Sequence, residues 1–545
     1  MACASACCSA WGARVAEPAV DAPLLIACGD VAAAADLPPQ ARIGAKAHNL
    51  ARMAALGLPV PPAFVIGSHW CERAHALQPD FWCGALRAIE QVTGRGFGDR
   101  RHPLLLSVRS GAAVSMPGMM ETVLDIGLSE LTLPGFVRVT GNPQLAWDAY
   151  RRLVAGFGEV VLGVDRGHFE RDLQGLATGR DERELDFAEL RQLTRLHLAS
   201  VLRESGRPFP QDPGEQLRAA IAAVFGSWQA DKALAYRRLH GLPDQPGTAV
   251  TVQAMVFGNA GGTSGAGVGF TRHPSTGAPE PWVDFLFKAQ GEDVVSGRRT
   301  AQGHAQLAAV APAIWDELRQ HLHRLEQAFG DMQDFEFTVE NGKLWLLQTR
   351  AGKRTPQARA RIALDLLDEG VIDAPQALLR TVGLDAATLA IDRIATDGAG
   401  AEVVVLATAA SAAHGVACGE IALDEARARA RHAAGAPVVL LRQDAETRDL
   451  VALECALGLL TARGARTSHA AVVARQMGKV CLVGCDELAI DLGRRRVRFG
   501  SVEMGEGEPV TLDGHRGVVY RGAVRTVREA PAELLQRLAA LRARA

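Results

Sequence analysis

His469 stands near the centre of GARTSHAAVVARQMGK, residues 464–479. Gly464 bounds a turn, Thr467 and Ser468 are candidate N-cap residues, and an Ala-rich helix follows with the histidine in its first turn. That place suits a histidine that carries a phosphoryl group. Free backbone N–H groups and the positive end of the macrodipole meet there, and together they stabilise an exposed anion by roughly 0.3–1 kcal/mol. An exposed helical histidine without chemistry is the plainer alternative. For one histidine among 15 it prevails unless the rest of the chain supplies a donor.

The candidate donor side begins with DFEFTVENGKLWLLQTR, residues 334–350, two strands joined near Asn341-Gly342. A two-residue loop would put Glu336 on the face of Leu347 and Gln348 with the phenylalanines. The three-residue loop Glu340-Asn341-Gly342, closed by an αL glycine, instead pairs Val339 with Lys343, Phe337 with Trp345 and Phe335 with Leu347. The second is favoured because it gathers the large aromatic residues on one face. The other face then carries Asp334, Glu336, Gln348 and Arg350, with Leu344 and Leu346 nearer the turn. Carboxylates and a carboxamide are hard oxygen ligands of the kind Mg²⁺ takes alongside substrate phosphates, and Arg350 balances phosphate charge. A solvated polar face is the alternative, but polar residues grouped at one end of a face that is apolar near its turn favour the rim of a site.

Two earlier blocks add phosphate-binding types. In IGAKAHNLARMAALGLPVPPAFVI, residues 43–66, Leu50, Met53 and Leu56 share helical spacing, Gly57 is a stop, and Lys46 sits at the helix start, where it can reach phosphate or simply face water. In PLLLSVRSGAAVSMPGMMETVLDIGL, residues 103–128, a strand over 104–108 delivers Arg109 into a loop with Gly111, Met116, Pro117 and Gly118. Glycines let backbone approach a ligand, loop N–H groups can cradle phosphate, and Arg109 offers a planar fork for its oxygens. An ordinary strand-loop-helix joint fits the same composition.

Other stretches position these residues. Residues 143–242 read as helical, with Leu217, Ile221, Val224, Phe225 and Trp228 on one buried face. Residues 248–300 read as strands around the Gly-rich GNAGGTSGAGVGF, which lacks a P-loop lysine and need not touch phosphate. A helical connector runs to about residue 395, interrupted at Gly370 and Pro375. From Glu402, short strands and helices alternate around a small-residue segment, which predicts an α/β domain of about a hundred residues. VTLDGHRGVVYRG, residues 510–522, reads as a hairpin, and Pro531 starts a last helix with Leu534, Leu535, Leu538 and Leu541 on one stripe.

Bulk properties set limits. A chain of 545 residues implies two to four domains. A net charge of -2 gives no basic footprint for nucleic acid, and the run 494–496 reads as a solvated turn. No apolar stretch reaches the roughly 20 residues of a membrane span, and the first residues lack the pattern of a secretory signal, so a cytoplasmic protein with reduced thiols is expected. Cys481 and Cys485 have no second pair at zinc-ligand spacing.

Taken in order, IGAKAHNLARMAALGLPVPP, SVRSGAAVSMPGMMETVL, VQAMVFGN, GFTRHPSTG, AQGEDVVSG, MQDFEF, LQTRAGKRT and LTARGARTSHAAVVARQMGK resemble the pyruvate phosphate dikinase family over roughly residues 40–525. The resemblance implies an α/β and α+β multidomain chain. Its parts would be an N-terminal tail, 1–39, poorly ordered at its start; an ATP-grasp nucleotide-binding region, 40–355, with a helical insertion; a helical linker, 356–399; a swivelling phosphohistidine domain, 400–525; and a C-terminal helix, 526–545. It implies that Lys46, Arg109, Gly111, Gly118, Asp334, Glu336, Gln348 and Arg350 bind ATP, its phosphates and Mg²⁺. Asp284 stands where the family carries glutamate and would share that role, with Asp284, Glu336 and Gln348 as the metal set. His469 would take the β-phosphoryl of ATP while the γ-phosphoryl goes to inorganic phosphate, leaving AMP. Thr467 matches the regulatory phosphorylation position of plant members, or only caps the helix.

Departures are GARTSH for GGMTSH, SGAG for SGTG, and HGVACG for a Pro-Gly segment. In the family a phosphoenolpyruvate/pyruvate-binding TIM barrel follows the histidine domain, and the 20 residues after 525 are too few for its roughly 250. The expected acceptor is therefore a separate chain or a different molecule, and a homo-oligomer is left open. The leading expectation is an ATP-dependent phosphotransferase acting through His469. A nucleotide-binding regulator or truncated remnant without turnover, and a phosphotransferase with another acceptor, are the alternatives.

Overall fold

The computed structural model describes residues 22–28, 37–114, 116, 120–180, 182–239, 241–242, 247–295, 303–395, 404–444, 449–466 and 468–543. Most of the N-terminal tail, together with Gly118 and Thr467, lies outside them. The chain divides into two units, one formed by residues 1–31, 38–48 and 62–255, the other by 32–37, 49–61 and 256–545.

In the first unit, β-branched and apolar runs build an antiparallel sheet. Its strands are β1 (Leu24–Ile26), β2 (Ala63–Ile66), β3 (Leu106–Gly111), β4 (Thr122–Ile126) and β5 (Ala249–Ala254), in the order β1-β2-β5-β3-β4. The strand expected over 104–108 starts and ends later, because Arg109, Ser110 and Gly111 continue to pair with Thr251, Val250 and Ala249. Phe64, Val252 and Val108 stand in one buried row; Val65, Thr251, Arg109 and Thr122 form the next, on the opposite face.

Polar caps start several helices of this unit. Asn142 and Asp212 accept from Leu145 and Glu215, and Asp186 forms a capping box with Glu189. Leu217, Ile221, Val224, Phe225 and Trp228 are all buried, as their spacing requires. His197, on the helix Phe187–Ser205, is 2% exposed, with its ring 5.1 Å from that of Phe169. Burial first, then the Arg151 charge, lowers its pKa from 6.5 to about 4. The folded protein therefore binds fewer protons than the unfolded chain between those values. Stability is complete above 6.5 and falls as pH drops toward 4, by up to about 1.4 kcal/mol per pH unit for this group. His197→Leu should flatten that part of a stability-versus-pH curve measured by urea unfolding.

The second unit opens with β6 (Gly265–Phe270), β7 (Trp282–Phe287), β8 (Gln333–Glu340) and β9 (Lys343–Ala351), antiparallel in the order β7-β6-β8-β9. The glycine cluster here serves packing. Gly265, Gly267 and Gly269 alternate on one face of β6, opposite Phe287, Phe285 and Val283 on β7 and Val339, Phe337 and Phe335 on β8. A Cβ on Gly267 would run into the Phe337 ring and the Asp284 carbonyl oxygen. Gly267→Ala should cost about 1–3 kcal/mol by overpacking, read as a lower urea midpoint.

The β8–β9 register corrects the expected one. The loop at the tip is the two-residue Asn341-Gly342, with Glu340 opposite Lys343, Val339 opposite Leu344 and Phe337 opposite Leu346. A bulge at Leu347 then shifts the ladder by one, so that Glu336 faces Gln348 and Asp334 faces Arg350. Leu344 and Leu346 thus lie with the phenylalanines, and Trp345 lies opposite Thr338 on the other face.

Beyond β9, the helices Pro356–Asp368, Ala374–Arg380 and Ala386–Leu389 lead into β10 (Ile391–Ile394). The C-terminal helix Ala532–Ala543 buries Leu534, Leu538 and Leu541 among Leu364, Leu366 and Ile372. Between these lies an eight-stranded sheet of order β11-β21-β20-β13-β14-β15-β16-β12. Its strands are β11 (Val405–Thr408), β12 (Ala410–Ala413), β13 (Val416–Ala422), β14 (Val438–Arg442), β15 (Gly458–Thr461), β16 (Val480–Val483), β20 (Pro509–Asp513) and β21 (Val518–Arg521). Strands β13 to β16 run parallel and the remaining pairs antiparallel. The small-residue segment 409–422, not expected as strand, forms β12 and β13, because sheet pairing overrides the helix preference of alanine. A small sheet, β17 (Leu488–Asp491), β18 (Arg496–Phe499) and β19 (Val502–Gly505), was also not expected. Last in the chain, β22 (Thr526–Glu529) pairs with β10.

Candidate active site

The β7-β6-β8-β9 sheet has one face filled by glycines and phenylalanines and one that gathers charged and polar side chains. On the second, the register aligns two rows. Asp284, Val268, Glu336 and Gln348 stand side by side, and Trp282, Phe270, Asp334 and Arg350 form the next row. Neighbouring strands are about 4.8 Å apart, so adjacent members of a row can share a ligand. Gln348 Nε2 donates to Glu336 Oε1 at 3.3 Å, and Arg350 Nε donates to Asp334 Oδ2 at 2.8 Å. Burial pushes the Asp334 pKa up while Arg350 pulls it down, so the carboxylate depends on its guanidinium partner for its charge.

The segment that precedes His469 lies against this face. Ala465 is buried with Ala266, Val268 and Leu286. Arg466 donates from Nε and Nη2 to Asp284 Oδ1 at 2.9 and 2.6 Å, and from Nη2 to the Val283 carbonyl at 3.2 Å, with its guanidinium 4.6 Å from the Trp282 ring centroid. Ser468 caps the helix His469–Gln476, its Oγ accepting from the Ala471 N–H, and His469 is the first helical residue. The backbone of His469 is described; its side chain is not. Arg475 of the same helix is 2% exposed, donates to the Ala412 carbonyl at 2.6 Å and the Arg466 carbonyl at 3.3 Å, and stacks 5.0 Å from Trp282 and 5.3 Å from Phe270. Burial lowers its pKa to about 10, which leaves it protonated at neutral pH.

In the first unit, Lys46 is the second residue of the helix Ala45–Ala55 and is half-buried. The start of that helix is fastened to the end of β3. Ala45 N–H donates to the Ala112 carbonyl at 3.0 Å, Gln40 Nε2 donates to the Ala113 carbonyl at 2.8 Å, and a Cβ on Gly44, whose φ is +80°, would collide with the Gly111 carbonyl. Lys46, Arg109 and Gly111 thus belong to joined elements. Gly111 N–H is taken by Thr248 Oγ1 at 3.2 Å.

The donor set bears on magnesium. Glu336 and Gln348 offer adjacent hard oxygens, which fits an ion that takes its remaining ligands from phosphate and water. Asp284 is held by a guanidinium, and among the described residues no three His, Cys, Asp or Glu side chains converge as a cage. Cys481 and Cys485 are free and buried, and burial pushes both thiols up to about 12.

Sequence reading missed Arg466, Arg475 and Trp282. Arg475 and Trp282 carried only the weak signal of a charge or an indole at a strand or helix position that packing must cover.

Residues 75–310 and 301–370 match the family model described as pyruvate phosphate dikinase, AMP/ATP-binding domain, and residues 435–517 match that of the PEP-utilising enzyme, mobile domain. The chain is similar to the pyruvate, phosphate dikinase of Clostridium symbiosum, 40% identical over 499 residues, to that of Rhizobium meliloti, 41% over 506, and to that of Giardia intestinalis, 42% over 500. Each alignment covers 89% of this chain and 56% of the relative, so the chain spans little more than half their length. No helix among the described residues is long and apolar enough to cross a membrane.

Proposed function

The chain belongs to the pyruvate phosphate dikinase family, and from that premise we propose that it is an ATP-dependent phosphotransferase that moves a phosphoryl group from ATP to His469. That step is the first half of a relay toward pyruvate or phosphoenolpyruvate. The observation that carries this reading is the contact between the loop before His469 and the sheet face bearing Asp334, Glu336, Gln348 and Arg350. A carrier histidine belongs beside the groups that bind its donor.

In this reading residues 40–355 form an ATP-grasp region and residues 400–525 a swivelling phosphohistidine domain. Lys46 and Arg109 grip phosphate; the Gly111 N–H, already taken by Thr248 Oγ1, is not part of that grip. Arg350, held in line by Asp334, meets the charge that develops during transfer. Glu336 and Gln348 would hold Mg²⁺, which when bound neutralises phosphate charge. Neutral His469 attacks the β-phosphorus; the N–P bond forms as the bond to the AMP oxygen breaks. The γ-phosphoryl passes to inorganic phosphate, so the products are phosphohistidine, AMP and pyrophosphate.

Incubation with ATP radioactive at the β position, plus phosphate, should leave an acid-labile label on the protein. ATP radioactive at the γ position should label only pyrophosphate. Label on the protein from the γ position alone would refute the proposed route. Glu336→Ala should lower the labelling rate by about 10²-fold or more, in line with loss of one preorganised group at a charge-developing centre, measured by rapid-quench labelling.

A further inference from the structure

Arg466 stands three residues before His469 in the chain. Both of its forked donors end on one oxygen of Asp284, a side chain with 0% exposure. Burying a carboxylate is costly unless it is paired and hydrogen-bonded, and Arg466 supplies the pairing from another part of the unit. The fork also reaches the Val283 carbonyl and lies over Trp282, so it is fixed in distance and in plane. The carbonyl of Arg466 is in turn held by Arg475, which is tied to Ala412 at the edge of the eight-stranded sheet. Two arginines therefore bridge β7 to the helix that His469 opens, and Ala465 closes the contact with apolar packing.

We propose that Arg466 is the positioning residue that seats the His469 helix on the chemical face of the four-stranded sheet, with Asp284 as its receptor. Asp284 then serves docking in this arrangement, and the metal falls to Glu336 and Gln348. The consequence for phosphoryl transfer rests on His469 being the carrier; the docking itself does not.

Arg466→Met, Arg466→Lys and Asp284→Asn test this in the full chain. In Arg466→Met and Asp284→Asn, amide hydrogen exchange should accelerate about tenfold or more over 282–287 and 464–466. Exchange in β13 to β16 should be unchanged, which shows that the fold is intact. The rate of phosphohistidine formation should fall about tenfold or more with the KM for ATP unchanged, and Arg466→Lys should restore part of both losses. Wild-type exchange in Arg466→Met overturns the docking role. Faster exchange with an unchanged transfer rate overturns positioning and leaves a structural contact. If the wild-type chain itself takes no label, the proposed function falls, while the exchange arm still decides the docking.

Discussion

His469→Ala is expected to take up no β-phosphoryl label while binding ATP as the wild type does. The loss should be complete, because the substitution removes the imidazole on which the N–P bond of the proposed intermediate forms. Binding should persist, since the groups assigned to the nucleotide lie on other elements. It is read as thermal stabilisation by ATP, which for any ligand of the native state amounts to about 2.7 kcal/mol at a hundredfold excess over Kd. A nucleotide-binding regulator without turnover predicts the same stabilisation in both proteins and no label in either. The pair of readouts therefore separates the two accounts: a wild type that binds and labels beside a variant that binds and does not.

Arg272→Ala should produce the largest loss of stability. Its side chain is 3% exposed and donates to Glu326 at 2.9 Å and to Glu369 at 2.7 Å, while Thr271 Oγ1 donates to the second oxygen of Glu326 at 2.8 Å. Among the described residues, truncation leaves the buried Glu326 with one neutral donor and no counter-charge. Stranding one partner of a buried pair costs about 3–5 kcal/mol, whereas apolar replacement of both is often near neutral. Arg272→Met combined with Glu326→Leu should therefore recover most of what Arg272→Ala loses, with both measured by urea unfolding of the full chain. Equal losses in the single and double variants would show that the ionic network is not the cause.

The grouping of Asp334, Glu336, Gln348 and Arg350 was legible from alternation alone, although the expected pairing was not the one found. The expected three-residue loop and the observed combination of a two-residue loop with a bulge at Leu347 both preserve the side on which residues 334, 336, 348 and 350 stand. Nearer the turn no such cancellation operates, and the sides expected for Leu344, Leu346 and Trp345 were inverted. The strands β12 and β13 were hidden because alanine and glycine carry little β preference, and only pairing with β16, β14 and β20 fixes them. In β18 the signal existed, since buried Val497 and Phe499 alternate with exposed Arg496 and Arg498 at period two, but the run of arginines masked it. The contact of Arg466 with Asp284 spans 182 residues and has no local signature. Sequence placed one near a histidine and the other on a strand, and only the fold joins them.

The most direct test of the account is to map the phosphoryl group after single-turnover reaction with β-labelled ATP. Digestion with trypsin at alkaline pH, where phosphohistidine survives, should place all of the label in the peptide of residues 467–475, TSHAAVVAR, on His469. Label on any other peptide, or none on the protein while AMP accumulates, would contradict it.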